Sequence, residues 1–257
     1  MRLTVVGSSG SVSGPESASS CYLVQADDGV STTTVLLDLG SGAFGQLLRY
    51  VLPEELDAVL LSHLHADHVV DLAALDVYLR YGPGAPFEAM PVWGPEGTVT
   101  RLEQLCGEPG VGAEAYDVHG WTHQEPVRIG PIEIVPYTVW HPVPAFALRI
   151  TGPAEDGSGT RTLVYTGDTD SCDGVTAAAQ GADLLLSEAA FQESRDSIRG
   201  VHLTGRRAGE LATEAGVKRL VLTHIPPWTA RETVRAEACT TYEGPVDLAC
   251  PGVTFAL

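Results

Sequence analysis

The sequence predicts a mixed α/β fold of four layers, αββα, in which two mixed β-sheets pack face to face and helices cover both outer faces. Three observations lead there: short β-branched or apolar runs alternate with helical patterns, a hairpin followed by strand–helix units appears in both halves, and polar residues recur at the ends of the apolar runs. The 257 residues, 44% hydrophobic with 28 glycines, suffice to bury one sizeable core. No composition shift or long linker divides them, so residues 1–257 read as a single domain.

In chain order, RLTVVG (2–7), CYLVQA (21–26) and TTVLLDLG (33–40) read as strands, the second and third joined by an Asp-Asp-Gly turn at 27–29. AFGQLLRYV (43–51) reads as a helix and LDAVLLSH (56–63) as a buried strand. DLAALDVYLRY (71–81) reads as a helix, because its apolar residues fall at helical spacing. The second half repeats the style. Strands are expected in VRIGPIEIVPYTVWH (127–141), FALRIT (146–151), TLVYTGDT (162–169), ADLLLSEAA (182–190), VKRLVLTHI (217–225) and GVTFAL (252–257), and helices over 171–180, 204–215 and 229–239. The region 95–124 reads as one helix and an irregular loop.

Charge narrows the function. With 33 acidic and 15 basic residues the formal charge is −18, and Lys218 is the single lysine. Polyanion binding needs clustered cations that displace counterions, so a large nucleic acid is a poor candidate partner. The opening MRLTVVGSSG has no secretory pattern, and no apolar run approaches the roughly 20 residues that span a bilayer. A cytoplasmic protein without a membrane partner is the expectation. Cys21, Cys106, Cys172, Cys239 and Cys250 are scattered and form no C-x-x-C pair, so they read as reduced, small apolar residues.

The stretch LLSHLHADHVVDL (60–72) carries the chemistry. A strand ending in Ser62-His63 projects His63 and His65 in a similar direction, while Asp67 and His68 start the turn into the next helix. One loop can then serve two adjacent metals. Imidazoles and carboxylates without thiolates suit zinc first, with manganese or iron as alternatives. Two ions about 3.5–4 Å apart can share a bridging hydroxide and stabilise the attacking and leaving oxygens of a displacement at phosphorus. The further ligands are expected at other strand ends, from His141 in VWHPVP, Asp168 in YTGDTD and His224 in LTHIPP. His119 and His123, in DVHGWTH, read as ordinary core or surface histidines.

With H-x-H-x-D-H, a later histidine, G-D-T and a final T-H in this order, the sequence resembles the metallo-β-lactamase-fold hydrolases over nearly its whole length. The resemblance implies one divalent ion on His63, His65 and His141, a second on Asp67, His68 and His224, and Asp168 bridging both. Antibiotic-hydrolysing members usually lack that bridging aspartate, and flavin-linked di-iron members carry glutamate where His65 stands. Glutathione-thioester hydrolases share the metal set.

The segment SEAAFQESRDSIRGVHLTGRRAGELATEAGVKRLVLTHIPP (187–227) resembles the phosphodiesterase branch that includes the tRNA 3′-processing endonuclease. There a glutamate and a histidine form a proton-donating pair, matched by Glu188 and His202. This chain departs in having Ser187 where the endonuclease usually has histidine and His-Leu-Thr for His-Ser-Thr. Its residues 81–124, the place of the endonuclease's basic tRNA-gripping arm, hold one basic residue, Arg101.

The opening VVGSSGSVSGPESASSCYLV, the core LLSHLHADH and the tail LTHIPPWT resemble actinobacterial cyclic nucleotide phosphodiesterases of an atypical class II group. That resemblance implies hydrolysis of 3′,5′-cyclic AMP to 5′-AMP by a homodimer, with Asp67 orienting or deprotonating the nucleophile and His202 with Glu188 protonating O3′. A histidine suits the last task near neutral pH. A helix starting near Thr204 disfavours the cationic form of His202 through its dipole, and Glu188 restores it. Candidate substrate contacts are Ser8, in the Gly/Ser loop 7–14 whose backbone N–H groups could reach a phosphate, and Trp228, which could stack a base.

Overall fold

Strand segments near the middle of both sheets, among them Val35–Leu37, Ala58–Leu60, Leu184–Leu186 and Leu220–Leu222, are apolar and buried on both faces, which is what a sheet covered by helices on one side and by a second sheet on the other requires. The computed structural model describes residues 1–107 and 115–257. The first sheet begins with β1 (Arg2–Gly7), β2 (Cys21–Asp27), β3 (Thr32–Leu37) and β4 (Ala58–Leu60), and continues with β5 (Met90–Gly94) and β6 (Tyr116–Gly120). The second holds β7 (Val127–Ile129), β8 (Ile132–Thr138), β9 (Phe146–Pro153), β10 (Thr160–Tyr165), β11 (Leu184–Glu188), β12 (Leu220–Thr223) and β13 (Val246–Leu248). β14 (Thr254–Ala256) returns to the first sheet, giving the orders β14-β1-β2-β3-β4-β5-β6 and β13-β12-β11-β10-β9-β8-β7. Each sheet is mixed: antiparallel hairpins join β1 to β3 and β7 to β10, whereas β3 to β6 and β10 to β13 run parallel.

Side-chain alternation sorts the core into three clusters. Between the sheets lie Val5, Tyr22, Leu37 and Leu60 against Ile134, Leu148, Tyr165 and Leu186. Behind the first sheet, Leu23, Leu36 and Leu61 meet α1 (Ala43–Leu47), α3 (Leu72–Tyr81) and α4 (Thr98–Cys106). Behind the second, Val164, Leu185 and Leu222 meet α5 (Asp173–Ala179), α6 (Gly205–Glu214) and α7 (Arg231–Ala238). This is the αββα sandwich. α6 starts where Thr204 caps it, its Oγ1 accepting the Arg207 N–H at 3.2 Å. Among the described residues no helix is long and apolar enough to cross a membrane.

Several expected boundaries shift. The candidate strand 33–40 ends at Leu37, because Asp38 adopts φ 55°, outside the extended range of a strand. The run 127–141 is two strands, split at Gly130 with φ 52°. Within 95–124 the expected helix is α4, but Tyr116–Gly120 is an edge strand rather than loop, and the part over 108–114 lies outside the described residues.

Candidate metal centre and acid pair

Five strands deliver the site from their C-terminal ends. β4 leads into Ser62-His63, β8 into His141, β10 into Asp168 and β12 into His224, while β11 ends on Glu188 itself. A short helix, α2 (Ala66–Val69), turns Asp67 and His68 in behind His65. Two backbone contacts hold these loops. A Cβ on Gly40 would lie 1.9 Å from the Asp67 carbonyl oxygen, and one on Gly10 2.1 Å from that of His224, so only glycine fits at either place.

Seven side chains converge in two clusters that share Asp168: His63, His65, His141 and Asp168, and Asp67, His68, Asp168 and His224, with all candidate ligand atoms of a cluster within 4.8 Å of one another. In the first, His65 Nδ1 is 3.1 Å from His63 Nε2 and 3.2 Å from His141 Nε2, and His63 Nε2 is 3.6 Å from Asp168 Oδ2. In the second, Asp168 presents Oδ1 at 3.3 Å to His68 Nε2 and Oδ2 at 3.3 Å to His224 Nε2. Asp67 Oδ2 is 3.6 Å from both of those nitrogens.

These spacings suit a cation. A tetrahedral ion bound at about 2.0–2.1 Å holds its ligand atoms about 3.3 Å apart. His68 Nε2, His224 Nε2 and Asp168 Oδ1 are buried without a hydrogen-bond partner, a cost of about 1–3 kcal/mol each if nothing met them. The residues present therefore fit two divalent ions.

The protonation states agree with that use. Burial holds His63 well below the usual imidazole range, and it lowers His65, His141 and His224 as well, so these rings favour the neutral, ligating form. Burial would raise the Asp168 carboxyl, but His224, His68 and His63 hold it well below the ordinary carboxylate range. Against its own burial, His68 is pushed well above the usual value by Asp168 and Asp38 on its two sides. His68 Nε2 would give up that proton on holding a divalent ion.

Each of four imidazoles is oriented through Nδ1: His63 by Ser62 Oγ at 3.1 Å, His68 by Asp38 Oδ2 at 2.7 Å, His141 by the Val201 carbonyl at 2.8 Å and His224 by Ser20 Oγ at 3.0 Å. Asp38 is a functional residue that sequence reasoning missed. Fully buried, it also accepts the Ser62 N–H and O–H at 2.7 Å each and the Tyr165 hydroxyl at 2.8 Å. The one signal for it is a carboxylate directly after the apolar run VLL, the same strand-end placement that marks Asp168.

A third grouping, Asp168, Glu188 and His202, adjoins the metal donors. Glu188 is held by four donors: the Thr169 N–H at 3.0 Å, His202 Nδ1 at 3.0 Å and the Leu203 N–H at 3.2 Å on Oε1, and the Ala190 N–H at 2.9 Å on Oε2. Burial opposes charge on His202, but the Glu188 carboxylate and its hydrogen bond carry the ring up to about 9. Ser187, where the endonuclease pattern has histidine, is buried and donates to the Glu188 carbonyl at 2.9 Å.

The loop that carries His202 is anchored by Asp170, which sequence reasoning also missed. Its buried carboxylate accepts Arg199 Nε at 2.6 Å, the Gly200 N–H at 2.7 Å, the Ser171 N–H at 2.7 Å and Arg207 Nη1 at 2.6 Å. Arg207 Nη1 reaches on to the His202 carbonyl at 3.1 Å. Against the cost of burial, these donors hold the Asp170 carboxyl down at about 2.

The remaining candidates fall outside the clusters. Ser8 is buried, its N–H donates to Ser17 Oγ at 2.9 Å and its hydroxyl lies 3.3 Å from the same oxygen, so the loop consumes the donor expected to reach a phosphate. Trp228 stands 62% exposed beyond His224. His119 bonds Asp117 and stacks on Trp93, and His123 accepts the Thr138 N–H.

Comparison with known proteins agrees with this fold. The family described as "Beta-lactamase superfamily domain" matches residues 33–225. A protein of Mycobacterium leprae (strain TN) is 44% identical over 259 residues, spanning 99% of this chain and 88% of its own. The crystal structure of the metallo-beta-lactamase fold protein YhfI from Bacillus subtilis superposes with a TM-score of 0.84 at 32% identity, over 99% of this chain and 98% of that one. Ribonuclease Z of Halorubrum lacusprofundi is 28% identical over 302 residues, 95% of this chain and 93% of its own.

Proposed function

The chain belongs to the beta-lactamase superfamily, and from that premise we propose that it is a metal-dependent phosphodiesterase that opens 3′,5′-cyclic mononucleotides, converting cyclic AMP to 5′-AMP. The observation that carries this reading is the Glu188–His202 pair at 3.0 Å, set beside the metal donors with His202 Nδ1 3.8 Å from Asp168 Oδ2. A thiol, with an ordinary pKa near 8.5, departs as thiolate unaided, so a thioesterase has no task for this pair. A ribose alkoxide is a far poorer leaving group and needs a proton as it departs.

His63, His65, His141 and Asp168 would hold one ion and Asp67, His68, Asp168 and His224 the other. Zinc is the first choice for this donor set, with manganese or iron as alternatives. When bound, the ions supply charge stabilisation at the phosphoryl oxygens and a lowered pKa for water. Asp67, its side chain 14% exposed at the rim of the second cluster, orients the attacking water and accepts its proton. Glu188 fixes the imidazole through Nδ1–H, and His202 gives its Nε2 proton to the departing O3′. Asp38, Ser62, Ser20 and the Val201 carbonyl keep the ligating rings in their tautomers.

Size and charge favour a small substrate. A formal −18 repels a polyanion, and residues 81–124 carry only Arg101 as a basic residue, whereas a cyclic mononucleotide brings a single negative charge. The likeness to ribonuclease Z supports a second reading, cleavage at RNA 3′ ends. The test is a chromatographic time course of the zinc-loaded protein with 3′,5′-cyclic AMP and, separately, with a 3′-extended tRNA, each beside Asp67→Ala. Conversion of cyclic AMP to 5′-AMP by the unaltered protein alone supports the first reading. Preferential trimming of the tRNA replaces it with the second.

A further inference from the structure

A cavity of about 340 Å³, within the about 300–1,000 Å³ range of small-molecule sites, is lined by Phe191, whose ring packs against His202. Its walls are extensions of the site. Ala190, whose N–H bonds Glu188, leads to Phe191, and the Phe191 ring meets His202 edge to face with centroids 4.9 Å apart. Pro226 and Trp228 follow His224, and Ser11 follows Gly10, which rests on the His224 backbone. The polar edge is the Arg195–Asp196 ion pair at 2.7 Å, with Arg195 tied to Thr229 Oγ1 at 3.2 Å. Trp228, 62% exposed, offers a large ring face at the mouth.

We propose that this cavity is the subsite for an aromatic heterocycle carried on the leaving-group side of the substrate, with Trp228 and Phe191 as apolar walls and Arg195–Asp196 as the hydrogen-bonding edge. The inference rests on the phosphodiesterase reading, which puts His202 at the leaving oxygen. Phe191 both lines the cavity and packs against His202, so the group bonded to that oxygen is the part of the substrate nearest the cavity. In a 3′,5′-cyclic nucleotide that group carries the base. An aromatic wall with one ion pair gives general affinity for heterocycles and a limited preference among bases, because every base has a ring face to stack.

Calorimetric titration of the zinc-loaded protein with 5′-AMP and with ribose 5-phosphate isolates the contribution of the base, alongside steady-state kinetics on cyclic AMP. The expected result is tighter binding of 5′-AMP by about tenfold. Trp228→Ala removes most of that preference and Trp228→Phe retains most of it. In Trp228→Ala the loss with cyclic AMP appears in KM far more than in kcat. A 5′-AMP preference that Trp228→Ala leaves intact overturns the subsite, even where cyclic AMP is hydrolysed. A Trp228-dependent preference in a protein that leaves cyclic AMP uncleaved keeps the base subsite and overturns the cyclic-nucleotide reading instead.

Discussion

Asp38 Oδ2 lies 2.7 Å from Nδ1 of His68, at the back of a buried ring whose Nε2 faces the shared Asp168. A carboxylate so placed fixes the tautomer and raises the basicity of the ligating nitrogen. Asp38→Asn is therefore expected to weaken metal binding by about 10–100-fold. Competition with a chromophoric chelator measures it; unchanged affinity would show that Asp38 serves only packing.

Removing the Asp170 charge frees the His202 loop. Asp170→Asn keeps the shape but weakens the pairs to Arg199 and Arg207, so kcat is expected to fall by about tenfold or more at unchanged metal content. The carboxyl is depressed to about 2, below its unfolded value near 3.9, so its stabilising contribution is complete above the unfolded value and is lost as pH falls towards 2. Urea unfolding at neutral pH and again near pH 3 should show the gap between wild type and Asp170→Asn narrowing in acid. A gap that is constant with pH contradicts the ionic anchor.

The Glu188–His202 pair sets the alkaline limit of activity. His202 is raised to about 9, so the proton-donating form is present throughout below the unfolded value near 6.5 and is lost as pH rises through about 9. Bound cations draw that limb downward, so kcat/KM is expected to fall on an alkaline limb at or below about 9. Glu188→Gln removes the charge that lifts His202 and should move the limb down by about one unit or more. A profile whose alkaline limb ignores this substitution would assign it to another group.

Much of the site was legible because its residues are locally dense. Four ligand candidates fall within residues 63–68, and His141, Asp168, Glu188 and His224 each follow an apolar run that reads as a strand. Asp38 and Asp170 were not legible, since a lone aspartate after a strand or inside TGDTD carries no mark of the partners that folding brings to it from residue 165 or 207. In the fold, the sheet cores read clearly from their apolar runs. The strand Met90–Gly94 escaped because Pro91 and flanking glycines look like a turn, Tyr116–Gly120 because an edge strand keeps polar residues, and Val246–Leu248 because three residues give no period. Ser8 misled for a related reason: a Gly/Ser loop suggests free backbone donors, and Ser17 had taken this one.

If His202 protonates the leaving oxygen of a phosphodiester, its removal should matter only where the leaving group needs that proton. The measurement compares His202→Ala with wild type on 3′,5′-cyclic AMP and on bis(p-nitrophenyl) phosphate, whose nitrophenolate departs without a proton. The expected loss of kcat is about 10²–10⁴-fold on cyclic AMP and about tenfold or less on the aryl ester. Equal losses on both substrates would contradict it.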